Sequence, residues 1–175
     1  FNTFNKISGL KIADKKFFLQ IQLFELELLA AKGNLLALSQ KMNQPNFKFP
    51  SHMKSHQIYF NTLLAQAKGE KSSLDKQYRW LASANPYLEE SIIAAANYLG
   101  EKQADKFEKY SVLTDALHAN PFSVKLLKAY SLEAARLGFS NYANSALERL
   151  RPLVSAEVMR KFLTGNQSTF AQVIR

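Results

Sequence analysis

The chain has 175 residues, 47% of them hydrophobic, which suits a folded domain and argues against wholesale disorder. It has no cysteine, and this excludes disulfide bonds, thiolate metal sites and cysteine nucleophiles. Its 23 basic and 14 acidic residues give a net charge of +9, which favours acidic partners, although no run of like charges is long enough for a basic tail.

Apolar residues recur at helical spacing along the chain and strand-like alternation is nearly absent, so an all-α fold is predicted. Asp14 can cap a first helix that ends at Lys32 and Gly33, since a basic last turn and a C′ glycine are typical helix stops. Pro86 suits a helix start, because its missing N–H costs nothing there. The later helices are predicted at 34–42, 51 or 55 to 67, 72 or 73 to 84, 87–99, 104–118, 123–137, 140–150 and 156–163. The tail 165–175 is expected to be frayed or to form a short docked helix.

Glycine and proline recur at nearly constant spacing. Intervals of 17 residues run from Gly33 to Pro50, from Gly69 to Pro86, and from Ala104 to Pro121. Gly138 follows Ala104 by 34 residues. A period near 34 in an all-helical pattern is the mark of stacked helix–turn–helix repeats, in which neighbours bury one another's apolar faces.

The fourth repeat carries the most specific motif. Gly138 is followed by Ala143 five residues later and preceded by the small Ser131 seven residues earlier. In this pattern the chain resembles the tetratricopeptide repeat family. The third repeat departs from it, with Lys109 where a small residue is expected.

The resemblance implies an α-solenoid, a right-handed array of about four antiparallel helix pairs with a C-terminal capping helix. It also implies a concave groove lined by the first helix of each pair. We expect a single domain over 1–175, with repeats at 14–50, 51–86, 87–121 and 122–155 and a capping helix and tail at 156–175. A plain helical bundle is the alternative fold.

Six residues are predicted to face that groove and bind a peptide: Tyr59, Gln66, Tyr98, Lys125, Lys128 and Arg136. Tyrosines provide contact area at little entropic cost, and clustered cations favour carboxylates, so the peptide is expected to be acidic or to present its C-terminus. The alternative is a solvated helix face whose tyrosines pack between repeats. Some tetratricopeptide domains clamp a C-terminal carboxylate with a lysine and an asparagine, but here those positions hold Leu23 and Glu27.

The predicted function is therefore a non-catalytic protein-interaction or scaffold module without a cofactor. His52 and His56 are four residues apart, but no third ligand lies near them in sequence, so no metal site is predicted. Single-stranded nucleic acid is the alternative ligand, since such binders interleave aromatic and basic residues. A further alternative is a purely structural C-terminal module that supports another domain of its own chain.

The chain begins with Phe1, and segment 1–13 lacks the basic and continuous apolar regions of a signal peptide. We expect either that a signal has been removed or, preferably, that this is the C-terminal part of a longer protein. The compartment therefore stays open. The densest apolar run, 17–30, is not expected to cross a membrane, because it is interrupted by Gln20, Gln22, Glu25 and Glu27.

Overall fold

The computed structural model describes residues 15–45, 47–84, 88–101, 105–171 and 173, and within them the regular structure is entirely helical. Short 3-10 turns at Ser51–Met53 and Arg151–Leu153 lead into and out of longer helices. The α-helices are α1 (Lys15–Ala31), α2 (Leu35–Met42), α3 (Lys54–Ala67), α4 (Leu74–Ala84), α5 (Glu89–Glu101), α6 (Glu108–Ala119), α7 (Val124–Arg136), α8 (Ser140–Leu150), α9 (Ala156–Gly165) and α10 (Gln167–Phe170). The all-α prediction is confirmed for these ranges. The predicted cap Asp14 and the predicted helix start Pro86 lie outside them.

Helices that follow one another in the chain pack against one another. Contacts join α1 to α2, α3 to α4, α5 to α6 and α7 to α8, and each pair also meets the next. In addition, α5 contacts α7, and α10 returns to pack on α7. The predicted helix pairs are therefore present. None of the described helices is long and apolar enough to span a membrane.

Three glycines turn the chain between paired helices in the same way. Gly33, Gly69 and Gly138 have φ angles of +66°, +74° and +79°, a left-handed conformation in which a side chain would be strained. After Gly69, the Glu70 N–H donates to the Ala65 carbonyl oxygen at 3.0 Å, and the Gly69 N–H donates to that of Gln66 at 3.0 Å. The same pair of bonds follows α1 and α7. Each turn is thus a Schellman motif, which satisfies the last carbonyls of a helix and reverses the chain.

The turn between α5 and α6 is built differently. Gly100 lies inside α5, and a Cβ added there would come within 2.8 Å of the Lys109 Cβ on α6. Gly100 therefore makes room for Lys109, the residue that stands at the predicted small position. The predicted helix start at residue 104 is wrong, because 105–107 form a turn and α6 begins at Glu108. The Asp105 side chain accepts a hydrogen bond from the Phe107 N–H at 2.8 Å, an arrangement that favours a turn over a helix.

Two apolar clusters form the core, and α5 contributes to both. The first cluster joins α1 to α5 through residues that include Leu26, Leu38, Phe60, Tyr78 and Ala95. The second joins α5 to the C-terminus through residues that include Ile92, Leu113, Leu127, Leu150 and Phe170. Ala95 and Ile92 lie on adjacent turns of α5. Buried residues of α5 therefore link the two clusters.

The described part of the tail forms a short helix that packs against the rest of the fold. Of the two alternatives predicted for the tail, a frayed end or a docked helix, the structure has the docked helix. Phe170 of α10 is 1% exposed and packs edge-on against Phe162 of α9, with ring centroids 5.6 Å apart. The Asn144 side-chain amide donates to the Val173 carbonyl oxygen at 3.3 Å. Val158 of α9 is 40% exposed.

Replacing a turn glycine should cost stability. We expect Gly69→Ala to lower the free energy of unfolding by about 1–2 kcal/mol, because alanine is strained at positive φ. Gly165→Ala is the matched control, since Gly165 has no such φ and no atom near its missing Cβ. It should change stability by less than about 0.5 kcal/mol. Urea unfolding of both variants measures the difference, and equal losses would contradict the role of the turn.

Gly100→Ala should destabilise the chain for a different reason. The new methyl group would overlap the Lys109 Cβ, which is fixed to the α6 backbone and cannot rotate away. We expect a loss of about 1–3 kcal/mol, typical of overpacking. Urea unfolding checks the value, and an increase in stability, as helix propensity alone would give, would contradict the close approach of α5 and α6.

Candidate functional site

Side chains from the first helices of the pairs, α1, α3, α5 and α7, contact or electrostatically affect one another, and the surface that carries them is here called the odd-helix face. Four ionisable side chains on it come from four helices: Glu27, His56, Glu90 and Lys125. His56 Nε2 lies 3.6 Å from Glu27 Oε1, and Lys125 Nζ donates to Glu90 Oε1. His56 Nδ1 is buried without a hydrogen-bond partner among the described residues. The face therefore carries two contacts between oppositely charged or chargeable groups, each joining neighbouring pairs.

Lys125 is kept charged by carboxylates of other helices. The hydrogen bond to Glu90 is the main cause of a raised Lys125 pKa, burial partly opposes it, and the negative charges of Glu89 and Glu27 add to it. Glu89 and Glu90 are on α5 and Glu27 is on α1, so acidic side chains of two other helices stabilise the Lys125 cation.

Tyr59, the first predicted site residue, is largely covered. It is 9% exposed, and its ring lies 5.4 Å from that of Phe60. Burial, followed by the negative charges of Glu90 and Glu27 among other groups, raises its pKa to about 12. The hydroxyl thus stays protonated at neutral pH and is available only as a neutral hydrogen-bonding group.

Gln66 and Tyr98 are brought together by a residue that was not predicted. Tyr78 of α4 is 1% exposed, and its ring stacks on that of Tyr98 with centroids 4.3 Å apart. Its hydroxyl donates to Gln66 Oε1. Burial raises the pKa of Tyr78 to about 12, so this hydroxyl keeps its proton. Tyr98 remains half-buried and is the more accessible of the two predicted tyrosines.

The three predicted cations all lie on α7, and each has a partner. Lys125 pairs with Glu90, and Lys128 Nζ lies 5.4 Å from the Phe162 ring centroid, a cation–π contact. Arg136 forms hydrogen bonds to both oxygens of Glu133, with Nε 3.1 Å from each. An incoming carboxylate would therefore compete with or extend existing interactions. Sequence spacing alone places the three cations on one helix. Their partners lie on other helices or, for Arg136, one turn earlier on α7.

Glu133 is a buried carboxylate that the sequence did not single out. It is 2% exposed, and besides Arg136 it contacts Lys109 Nζ at 3.3 Å. Burial alone would raise its pKa, but the Arg136 hydrogen bond and the Lys109 charge outweigh burial and lower it. Lys109 thus occupies its unusual position because it pairs with a charge on the next helix.

A second concave region was missed from sequence. A cleft of about 410 Å³, here called the tyrosine cleft, opens between α6 and α8 with α7 behind it. Tyr110, Tyr130 and Tyr142 line it, together with His118 and Arg149. Tyr142, Ala146 and Arg149 do share a helix face by spacing. Their meeting with α6 depends on packing between pairs, which no local pattern encodes.

Among the described residues, no three histidine, aspartate or glutamate side chains are grouped closely enough to hold a metal ion. His52 is exposed in the 3-10 turn before α3, whereas His56 is half-buried against Glu27. The two histidines are thus placed in different surroundings.

Removing the buried charge of Glu133 should alter how the free energy of unfolding depends on acidic pH. We expect Glu133→Gln to lower stability at neutral pH by about 1–3 kcal/mol, because hydrogen bonds to a charged group are lost. A carboxyl whose folded pKa is depressed stabilises the fold above its unfolded pKa and loses that effect as pH falls through the folded pKa. The difference in unfolding free energy between wild type and Glu133→Gln should therefore narrow below pH 4.5, the ordinary pKa of a glutamate carboxyl. Urea unfolding at several acidic pH values tests this expectation. A difference in unfolding free energy that stays constant with pH would contradict it.

Comparison with protein-family models, curated proteins and solved structures found no match for the chain. The resemblance to tetratricopeptide repeats therefore rests on the glycine turns, the helix pairs and the repeat spacing.

Proposed function

We propose that this chain is a non-catalytic protein-interaction module that holds an extended peptide segment along the odd-helix face. In this proposal the helix pairs form a right-handed solenoid of about four repeats, of which that face is the concave side. The whole chain acts as one domain, and α9 and α10 cap its end. Acidic residues of the peptide contact α7.

The observation that carries the proposal is a set of contacts between the first helices of successive pairs. His56 of α3 lies 3.6 Å from Glu27 of α1, and Lys125 of α7 donates to Glu90 of α5. In a stack of repeats, such contacts favour one continuous surface, which can hold an extended segment along its length.

The charges on the odd-helix face are divided by sign. The carboxylates Glu27, Glu89 and Glu90 lie on α1 and α5, whereas Lys125 and Lys128 lie on α7. A peptide with an acidic portion on α7 and a basic or neutral portion toward α1 would match this pattern. Half-buried Tyr98, which lies on α5, offers aromatic contact within the acidic region.

The same division disfavours single-stranded nucleic acid. A phosphate backbone that follows the face would meet the carboxylates of α1 and α5 as well as the cations of α7. Phosphate binding favours a continuous basic surface, since affinity depends on how many phosphates are neutralised. Nucleic acid is therefore not the proposed ligand, and the test below includes a result that would favour it.

The test is selection of peptides from a random library displayed on phage, followed by affinity measurement with synthetic peptides. The decisive variant is the double swap Glu90→Lys/Lys125→Glu, which keeps the ion pair and inverts the charges. It should weaken binding of the selected acidic peptides about tenfold or more, because their contact on α7 becomes repulsive. The fold should be preserved, with stability changed by less than about 1 kcal/mol, since exposed pairs contribute little.

The control is Glu157→Lys/Lys161→Glu on α9, which inverts another exposed pair, joined at 2.7 Å. It should leave peptide affinity unchanged. Selected peptides that bind both swaps as tightly as wild type would refute the odd-helix site. If no peptide is selected, the structural-module alternative replaces the proposal, and salt-sensitive binding of a single-stranded oligonucleotide would favour the nucleic-acid alternative.

A further inference from the structure

We propose that the tyrosine cleft is a second binding site, and that it takes an aromatic carboxylate. The cleft is formed by α6, α7 and α8 and shares no residue with the six predicted for the odd-helix face. Its volume of about 410 Å³ lies within the range of small-ligand pockets. The inference therefore does not depend on the proposed peptide function.

The inner wall of the cleft is aromatic and held in place. The hydroxyl oxygens of Tyr110 and Tyr130 are 2.7 Å apart and share a hydrogen bond, while their rings lie 5.1 Å apart. Burial, followed by the hydrogen bond to Tyr110, raises the pKa of Tyr130. The Tyr130 hydroxyl thus remains neutral, and its hydrogen bond to Tyr110 fixes the two rings as a pair. A flat apolar group placed here would meet ring surface already ordered before binding.

A third tyrosine stands at the mouth of the cleft. Tyr142 of α8 is 59% exposed. Phe139 packs edge-on against it, with centroids 6.3 Å apart. A planar ligand between Tyr142 and the inner pair would cover the exposed side. This arrangement favours an aromatic ligand over an aliphatic one.

The charge of the cleft favours an anion. Arg149 and His118 both line it, and none of the described side chains around it is acidic. Arg149 Nη2 donates to the Pro121 carbonyl oxygen at 2.6 Å, which anchors the side chain across the turn between α6 and α7. A guanidinium has five N–H donors in a planar fork that matches a carboxylate, and this bond uses one of them. Ser145 adds a hydroxyl at the same wall.

Aromatic carboxylates occur as free acids and as the C-terminal residue of a peptide, and both share the chemistry required here. The experiment therefore has two arms, phenylacetate and a short peptide ending in a free phenylalanine carboxylate. Each is titrated into the whole chain up to millimolar concentration, with amide NMR shifts as the readout. We expect saturable shifts at Tyr110, Tyr142 and Ser145 with at least one of the two probes.

Three comparisons test the chemistry. Phenylacetamide and the amidated peptide, which lack the charge, should bind about tenfold more weakly or worse, as should the carboxylates with Arg149→Ala. Acetate, which lacks the ring, should bind more weakly than phenylacetate. Arg151→Ala is the matched control, because Arg151 is exposed, pairs with Glu148 at 3.3 Å and lies outside the cleft. It should leave affinity unchanged.

The two arms separate the sources of the ligand, since a preference for the peptide identifies a chain terminus and a preference for phenylacetate a small molecule. Absence of cleft shifts with both probes would overturn the proposal. It would also be overturned if the amides bind as tightly as the acids, or if Arg149→Ala has no more effect than Arg151→Ala. Peptide selection on the odd-helix face is independent of all these results.

Discussion

The left-handed glycine after the first helix of a pair is the constraint on which the rest of the fold depends. At Gly33, Gly69 and Gly138 a positive φ lets two short helices reverse direction within a few residues. Reversal brings their apolar faces together, and helices of 8 to 17 residues would be marginal without that burial. The same turn recurs in three of the four pairs, so these pairs share one way of bringing their two helices together.

The third pair shows how such a constraint can be replaced. Its inter-helix segment has no glycine at positive φ among the described residues, and Lys109 takes the place of a small residue. Gly100 accommodates the stem of that lysine, and buried Glu133 on α7 binds its ammonium group. Close packing between α5 and α6 is thus achieved by removing a side chain from the facing helix. An ion pair then holds the lysine against the following repeat.

Local patterns predicted the helices well, because capping residues and turn glycines act within a few positions. Ser140–Leu150 was predicted to the residue, and α7 begins one residue after its predicted start at Ser123, whose side chain accepts from the Leu126 N–H. The start of α6 was missed, since the Asx turn at Asp105 competes with helix formation. The candidate site was less accessible to sequence reasoning. Lys125 and Glu90 are 35 residues apart, and Tyr78 links Gln66 to Tyr98 from an even-numbered helix, so both arrangements require the packed structure.

The position of α5 between two apolar clusters has a consequence for folding cooperativity. In a linear stack, each unit is stabilised only by its neighbours, so the two ends communicate through whatever lies between them. Here that route is a 13-residue helix whose successive turns carry Ala95 toward one cluster and Ile92 toward the other. Loss of α5 from the stack would uncouple the halves into separately melting units. This helix is therefore the main route by which the two halves stabilise each other, beside direct contacts such as the Arg79–Glu108 ion pair between α4 and α6.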